Sequence, residues 1–308
     1  MRQTLSLVVA LAVCCPAFAW NDKGHMVTAR LAWNKLTQEQ RSKVIGILKK
    51  HPHYDEFLSV DRPNGFTEDE WVFMRAATWS DWVRNHHKQE FHHGPRHYIN
   101  YPFVPPGSTI DPNAHQPGAN EENVVNYLPT AVDKVTNGND AEKAVNMCWL
   151  FHLVGDIHQP LHCTAMFSEQ FPAGDQGGNK AAVVITTHPM KLHTFWDGLL
   201  GKSLTASSIG RDVTKIESLF QSPPQDVAAD LKNNQSFESW GKESLEVAKK
   251  EAYLNGELEV AVVSEVFGDF APQVPDDYAQ NAGSTARIQI GKAGQRLADQ
   301  IAKLFPSN

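Results

Sequence analysis

Apolar residues recur along most of this chain at spacings of three and four, the period of an α-helix. From Asp22 to about Lys50, Met26, Ala29, Leu31, Leu36, Val44, Ile45 and Leu48 keep this period, and Asp22 is placed to cap the start. Glu68 to Arg84 carries Trp71, Phe73, Trp79 and Trp82, which predicts a helix buried on one side. Glu121 to Val135 and Asp140 to Ile157 predict two further helices, parted by the Asn137-Gly138 turn and stopped by Pro160. Helices resume near Met190, and Phe237 to Phe267 and Gln280 to Leu304 are amphipathic in the same way. Ala165 to Asn179, rich in glycine, reads as a loop. Lys180 to Thr187 is β-branched, the one strand or hairpin candidate. With no repeat, low-complexity segment or linker, the expectation is a mainly α, single-domain, multi-helix fold.

The first residues depart from this pattern. Arg2, the apolar run Leu5 to Val13 and the Ala17-Phe18-Ala19 cleavage site form a secretory signal peptide over residues 1–19. Cleavage there leaves Trp20 as the first residue of a domain over 20–308, and a secreted or periplasmic location is expected. The leader is too short to span a bilayer and no other apolar run is long enough, so no stable membrane association is expected.

Charge and composition narrow the chemistry. A formal charge of -7 over 308 residues argues against a broad basic face for nucleic acid. It leaves room for a site where bound metal ions supply positive charge locally. Fourteen histidines are an excess for this length. Cys148 and Cys163, the two cysteines beyond the leader, either pair or stay as buried thiols.

The densest signal is the stretch Phe151 to His162. His152 and Asp156 are one helical turn apart and share a face, which suits an imidazole and a carboxylate on one ion. His162 lies past the helix end and points elsewhere, which suggests a second ion. His193 and Asp197 repeat the same spacing. Upstream stand Asp81 with Arg84, His97 with Tyr98 and Asn100, and His25 near the α-amino group of Trp20 that cleavage would free, a group able to serve as a ligand. One His/Asp pair on a helix is usually an ordinary side-chain hydrogen bond; two such pairs beside several tryptophans favour metal binding. Imidazole with carboxylate suits zinc. His86, His87, His92 and His93 read as a solvated cluster, as do His51 and His53, while His158 falls on another helical face and reads as a packing residue.

Taken in order, these residues resemble the zinc-dependent S1/P1 nuclease family, which shares a superfamily with bacterial zinc phospholipase C. The matching blocks are Trp20, Gly24-His25, Trp79-Ser80-Asp81, His97-Tyr98-Ile99, His152 with Gly155 to His162, Asp175 with Gly177-Gly178-Asn179, and Leu192-His193 with Trp196-Asp197. They reach to about residue 200; from Ser203 onward only helical periodicity remains. The resemblance implies a phospholipase C/nuclease-like fold holding three zinc ions. Asp81, His97, His152 and Asp156 would take the first. The amine and carbonyl of Trp20 with His25 would take the second, sharing Asp156, and His162, His193 and Asp197 the third.

The implied reaction is hydrolysis of RNA and single-stranded DNA to 5′-phosphorylated products, with 3′-nucleotidase activity on nucleotides. A hydroxide held between the ions that share Asp156 would attack phosphorus. Asp156, Asp81 and Arg84 are the implied catalytic residues, Arg84 orienting Asp81 and meeting the phosphate. Tyr98 would stack on a base and Asn100 would read its edge. The family has Asp at that second position, so its base preference does not carry over. No obligate protein partner is implied. Two alternatives stand beside this reading. One is a zinc phospholipase C, against which Asp197 argues, since that branch is expected to have Glu there. The other is a periplasmic zinc-binding protein without catalysis.

Overall fold

The computed structural model describes residues 20–265 and 270–307. The expected leader over 1–19 lies outside the described residues. The helices run in chain order as α1 (Asp22–Lys35), α2 (Gln38–Leu48), α3 (Glu68–Ala76), α4 (Trp79–His86), α5 (Lys88–Phe91), α6 (Val124–Asn137), α7 (Asp140–Asp156), α8 (Leu192–Asp197), α9 (Ala206–Gln221), α10 (Gln225–Asn233), α11 (Phe237–Val247) and α12 (Tyr278–Leu304). The mainly α expectation holds.

Local chemistry explains where the long predicted helices break. The Asp22–Lys50 segment is two helices, because Leu36 turns extended and Thr37 starts a capping box with Gln40, each side chain bonding the other's backbone N–H. Glu68–Arg84 likewise divides at Ala77-Thr78 into α3 and α4. Asn21 rather than Asp22 caps α1, accepting from the backbone of Gly24.

α7 is the central element. Asn139 and Glu142 cap its start, and from Met147 every residue to Asp156 is buried. A helix buried all round must be surrounded, and α1, α2, α3, α4, α6 and α12 pack against it. Each fully buried Leu or Phe there contributes about 1.5–3 kcal/mol through removal from water. The last turn of α7 therefore presents His152 and Asp156 inside the molecule, where a rigid apolar jacket holds them.

Five short strands complete the fold: β1 (Tyr101–Phe103), β2 (Thr164–Met166), β3 (Ala181–Val184), β4 (Pro189–Lys191) and β5 (Ala261–Val262). The predicted strand is β3, which pairs antiparallel with β4 and β5. The parallel pair β1–β2 was not expected from the sequence. It matters for position, because β1 follows His97–Asn100 and β2 follows His162. Their register, Tyr101 opposite Thr164, continues into a bond from the N–H of Ile99 to the carbonyl of His162. A second, smaller apolar cluster gathers Leu161, Leu192 and Trp196 with Tyr253 and Tyr278.

Candidate metal-dependent active site

Four helices and two turns deliver polar side chains to one interior point. From α7, His152 Nε2 lies 3.2 Å from Asp156 Oδ2, both residues fully buried. α4 brings Asp81, whose Oδ1 stands 3.9 Å from His152 Nε2 and 4.0 Å from His97 Nδ1. His97, at the end of the turn Gly94–His97, reaches Asp156 Oδ2 at 3.0 Å and His152 Nε2 at 2.9 Å. α1 supplies His25, stacked on His152 at 4.1 Å between ring centroids, with Nε2 3.4 Å from Asp156 Oδ1. Beyond α7, His162 Nε2 and His193 Nε2 approach to 3.2 Å, and Asp197 Oδ2 lies 3.5 Å from His193. The donor atoms thus form three groups: His25/His152/Asp156, Asp81/His97/His152 and His162/His193/Asp197.

Trp20 belongs to the same neighbourhood. Its side chain is fully buried and packs against Gly24, next to His25. The N–H of Asn21 donates to the carbonyl of Asp197 at 3.1 Å, so the start of the described chain is tied to α8. Gly155 makes room for His25: a Cβ there would sit 2.5 Å from its Nδ1.

These residues fit divalent cations on a test of hydrogen-bond chemistry. His152, His162 and His193 each turn Nδ1 to a backbone carbonyl, of Ala77, His97 and Gly177 respectively, at 2.6–2.7 Å. A carbonyl accepts only, so the imidazole proton sits on Nδ1 and the Nε2 lone pair points inward. Two such lone pairs facing each other at 3.2 Å repel unless a positive centre lies between them. Tetrahedral zinc with bonds of about 2.0–2.1 Å places its nitrogens about 3.3 Å apart. Further, His25 Nδ1 and Nε2, His97 Nε2, Asp81 Oδ2 and Asp156 Oδ1 are shut off from water without a hydrogen-bond partner. Buried polar atoms left this way are costly, and cations would satisfy them.

The carboxylates set the electrostatics. Burial opposes the charge on His152, but the negative charge of Asp156 and Asp81 outweighs it and lifts its pKa to about 9, so Nε2 faces a field that calls for either a proton or a metal ion. Burial would also raise Asp156, yet His152 and its bonded neighbours hold it well below the usual carboxylate range. Burial pushes Asp197 well above that range, a bond from Gln159 notwithstanding. Burial, then His152, takes His25 down to about 4. Three buried carboxylates close together demand positive charge, and Arg84 Nη2, 3.4 Å from Asp81 Oδ1, supplies only part of it.

Residues outside the expected set hold these ligands in place. Gln159 donates to Asp197 Oδ1 at 2.7 Å. Asp175 is fully buried, and burial lifts its pKa to about 6 against bonds from Tyr253 and the N–H groups of Met166 and Gly178. The turn it anchors presents the Gly177 carbonyl to His193; Gly177 has φ +59° and lies against the carbonyl of Leu161, where no side chain fits. Tyr253 donates to Asp175 Oδ2 at 2.7 Å, while Tyr278 accepts from Trp196 Nε1 and donates to the carbonyl of Ala252. Both tyrosines come from the segment where the sequence showed only helical periodicity.

The remaining histidines divide. His51 and His53, expected to be solvated, are instead buried around Trp79, because the turn after α2 folds back onto the aromatic face of α4. His53 Nδ1 accepts the Trp79 indole N–H at 3.0 Å, so its proton sits on Nε2. The group His53/Glu56/His87 is compact enough for an ion but has the wrong tautomer for one. His86 is exposed as expected, one ring face stacked on Trp82, while His87 is half-buried against His53. His158 is a packing residue as expected, bonded to the carbonyl of Val154 and to Arg296. Cys148 and Cys163 are buried free thiols.

Above the donor groups opens a cleft of about 600 Å³, onto which Arg84, Tyr98, Asn100, His162 and His193 face. Tyr98 is 41% exposed, an unusual state for an aromatic residue in this protein and one that leaves a ring face available to a ligand.

A mainly helical protein that gathers imidazoles and carboxylates into cation-holding groups beneath such a cleft is a metal-dependent hydrolase in design. The chain belongs to the S1/P1 nuclease family, whose sequence profile matches residues 20–306. It is 23% identical to Endonuclease 4 of Arabidopsis thaliana over 100% of this chain and 96% of that protein. Nuclease P1 of Penicillium citrinum is 24% identical, covering 94% of this chain and 98% of its own. Nuclease S1 of Aspergillus oryzae is 27% identical over 61% of this chain and 56% of its own. The protein is therefore a nuclease acting on nucleic acid. No helix among the described residues is long and apolar enough to cross a membrane.

Proposed function

We propose that this protein is an extracytoplasmic zinc-dependent endonuclease that hydrolyses RNA and single-stranded DNA to 5′-phosphorylated products, with 3′-nucleotidase activity at the same site. The observation that carries the zinc assignment is the facing pair of Nε2 lone pairs on His162 and His193, with the matching tautomer of His152. Asp81, His97, His152 and Asp156 would hold one ion. His25, Asp156 and the freed amine and carbonyl of Trp20 would hold a second, and His162, His193 and Asp197 a third. Zinc bound there lowers the pKa of water to about 7 and offsets charge developing on phosphate oxygens.

The chain's own residues do the rest. Arg84 steadies Asp81 and turns a guanidinium toward the cleft, suited to a phosphate oxygen. Tyr98 offers its exposed ring as a stacking platform worth about 1–3 kcal/mol per base, which requires an unpaired base and so favours single strands. Asn100 both donates and accepts, and reads a base edge without the strict preference of an acid. Location outside the cytoplasm is supported by the leader motif and by a Trp20 already seated beside His25.

The deciding experiment is metal analysis of protein beginning at Trp20, coupled to product analysis on single-stranded homopolymers. Three zinc ions per chain and 5′-phosphate ends are expected, with activity lost on chelation and regained with zinc. Full cutting by zinc-free protein, or 3′-phosphate ends, would overturn the proposal.

A further inference from the structure

The lining of the cleft carries cationic side chains that the cation groups do not account for. In a chain of formal charge -7, none of the residues lining it is Asp or Glu. Arg84 lines it, tied to Asp81. After α4, His87 interrupts the helix, and α5 begins with Lys88, exposed and lining the same cleft. Among the described residues no carboxylate pairs with Lys88. His92, half-buried, completes this wall, and its Nδ1 is shut off from water with no hydrogen-bond partner. The wall therefore carries a cation without a carboxylate partner beside an imidazole.

One phosphate is enough to engage Arg84 and the cations below it. Lys88 and His92 are surplus to that need, on the same side of the cleft. We propose that Lys88 and His92 form a second phosphate subsite, which takes the phosphodiester next to the one being cut. This inference rests on the nuclease reading above and adds a substrate class to it: strands with at least two phosphodiesters are preferred to dinucleotides and 3′-nucleotides. The subsite reads backbone and not base, so the preference is independent of sequence and weakens with salt.

The test uses zinc-loaded protein beginning at Trp20, with Lys88→Gln and Lys88→Arg. Each is assayed on a dinucleoside monophosphate and on a trinucleoside diphosphate of the same base. Lys88→Gln is expected to lower kcat/KM on the longer substrate about three- to fivefold more than on the shorter, the upper part of the range for one exposed ion pair. On a long single strand, the slope of log kcat/KM against log salt should become shallower by about 0.7. Lys88→Arg should restore both. Equal losses on the two substrates, or no loss on either, would overturn the subsite. A wild-type enzyme inert to both substrates overturns the nuclease reading itself, a result distinct from any change in the ratio.

Discussion

Gly155→Ala tests the assembly of the site without removing any ligand. The added Cβ would lie 2.5 Å from His25 Nδ1 and 2.9 Å from its Cε1, where ordinary contact is 3.4–4 Å. The ring must then retreat by about 1 Å, and overpacking of this kind costs about 1–3 kcal/mol. It has no easy exit: His25 is fully buried and its face is stacked on His152 at 4.1 Å. Metal–ligand distances tolerate only about 0.2 Å, so the group His25/His152/Asp156 should lose its cation while His162/His193/Asp197 keeps its own. A misplacement of about 1 Å at a reacting centre is worth about 100-fold in rate. Metal analysis after gel filtration should give fewer zinc ions than wild type, with kcat/KM down by that order and the helical circular dichroism intact. A variant that retains the wild-type metal count and full activity would refute the reasoning, since His25 would then be shown either free to move or unneeded.

Other perturbations address other parts of the molecule. Tyr253→Phe removes a buried 2.7 Å bond to Asp175, at a cost of about 1–3 kcal/mol, and should weaken metal retention through the turn that orients His193. Unchanged zinc release to a competing chelator would sink that link. Glu243 gives a pH signature: burial opposes its charge, but Arg296 and Lys292 prevail and hold its pKa at about 2, below the ordinary 4.5. A depressed carboxylate contributes stability that is fully present above pH 4.5 and lost as pH falls toward 2, here about 3 kcal/mol. Denaturant titrations of Glu243→Gln across that window should therefore show a flatter pH dependence than wild type; parallel curves would contradict the sign. A residue appended before Trp20 should abolish turnover and lower the zinc count, and a fully active extended form would show that the terminal amine is dispensable.

Much of the site could be read from spacing because its chemistry is local. His152 with Asp156, and His193 with Asp197, needed only the helical period to be placed on one face, and Arg84 falls beside Asp81 for the same reason. What spacing could not convey is how distant segments meet. The β1–β2 pair sets His97 against His162 through strands of three residues, too short to carry an alternating pattern. Tyr253 and Tyr278 brace Asp175 and Trp196 across long sequence separations, and within an amphipathic segment nothing distinguishes them from ordinary core aromatics. The break at Leu36 was visible in Thr37 and Gln40, a capping signal that the run of apolar residues on either side obscured. His51 and His53 looked solvent-bound beside Pro52, and only the folded aromatic face of α4 reveals why they are buried.

Possession of the proposed ligands is not possession of the site. They run from Trp20 to Asp197, but the turn between Asp156 and His162 is fastened by Ser244, whose hydroxyl donates to the carbonyl of Ile157 at 2.6 Å, and by Gln289 on the carbonyl of His158. A chain halted near Gly201 would own every donor yet lack the clamps that aim them. The segment after Gly201 therefore belongs to the site although it lends no donor to it, and a truncation there should cost the site its geometry.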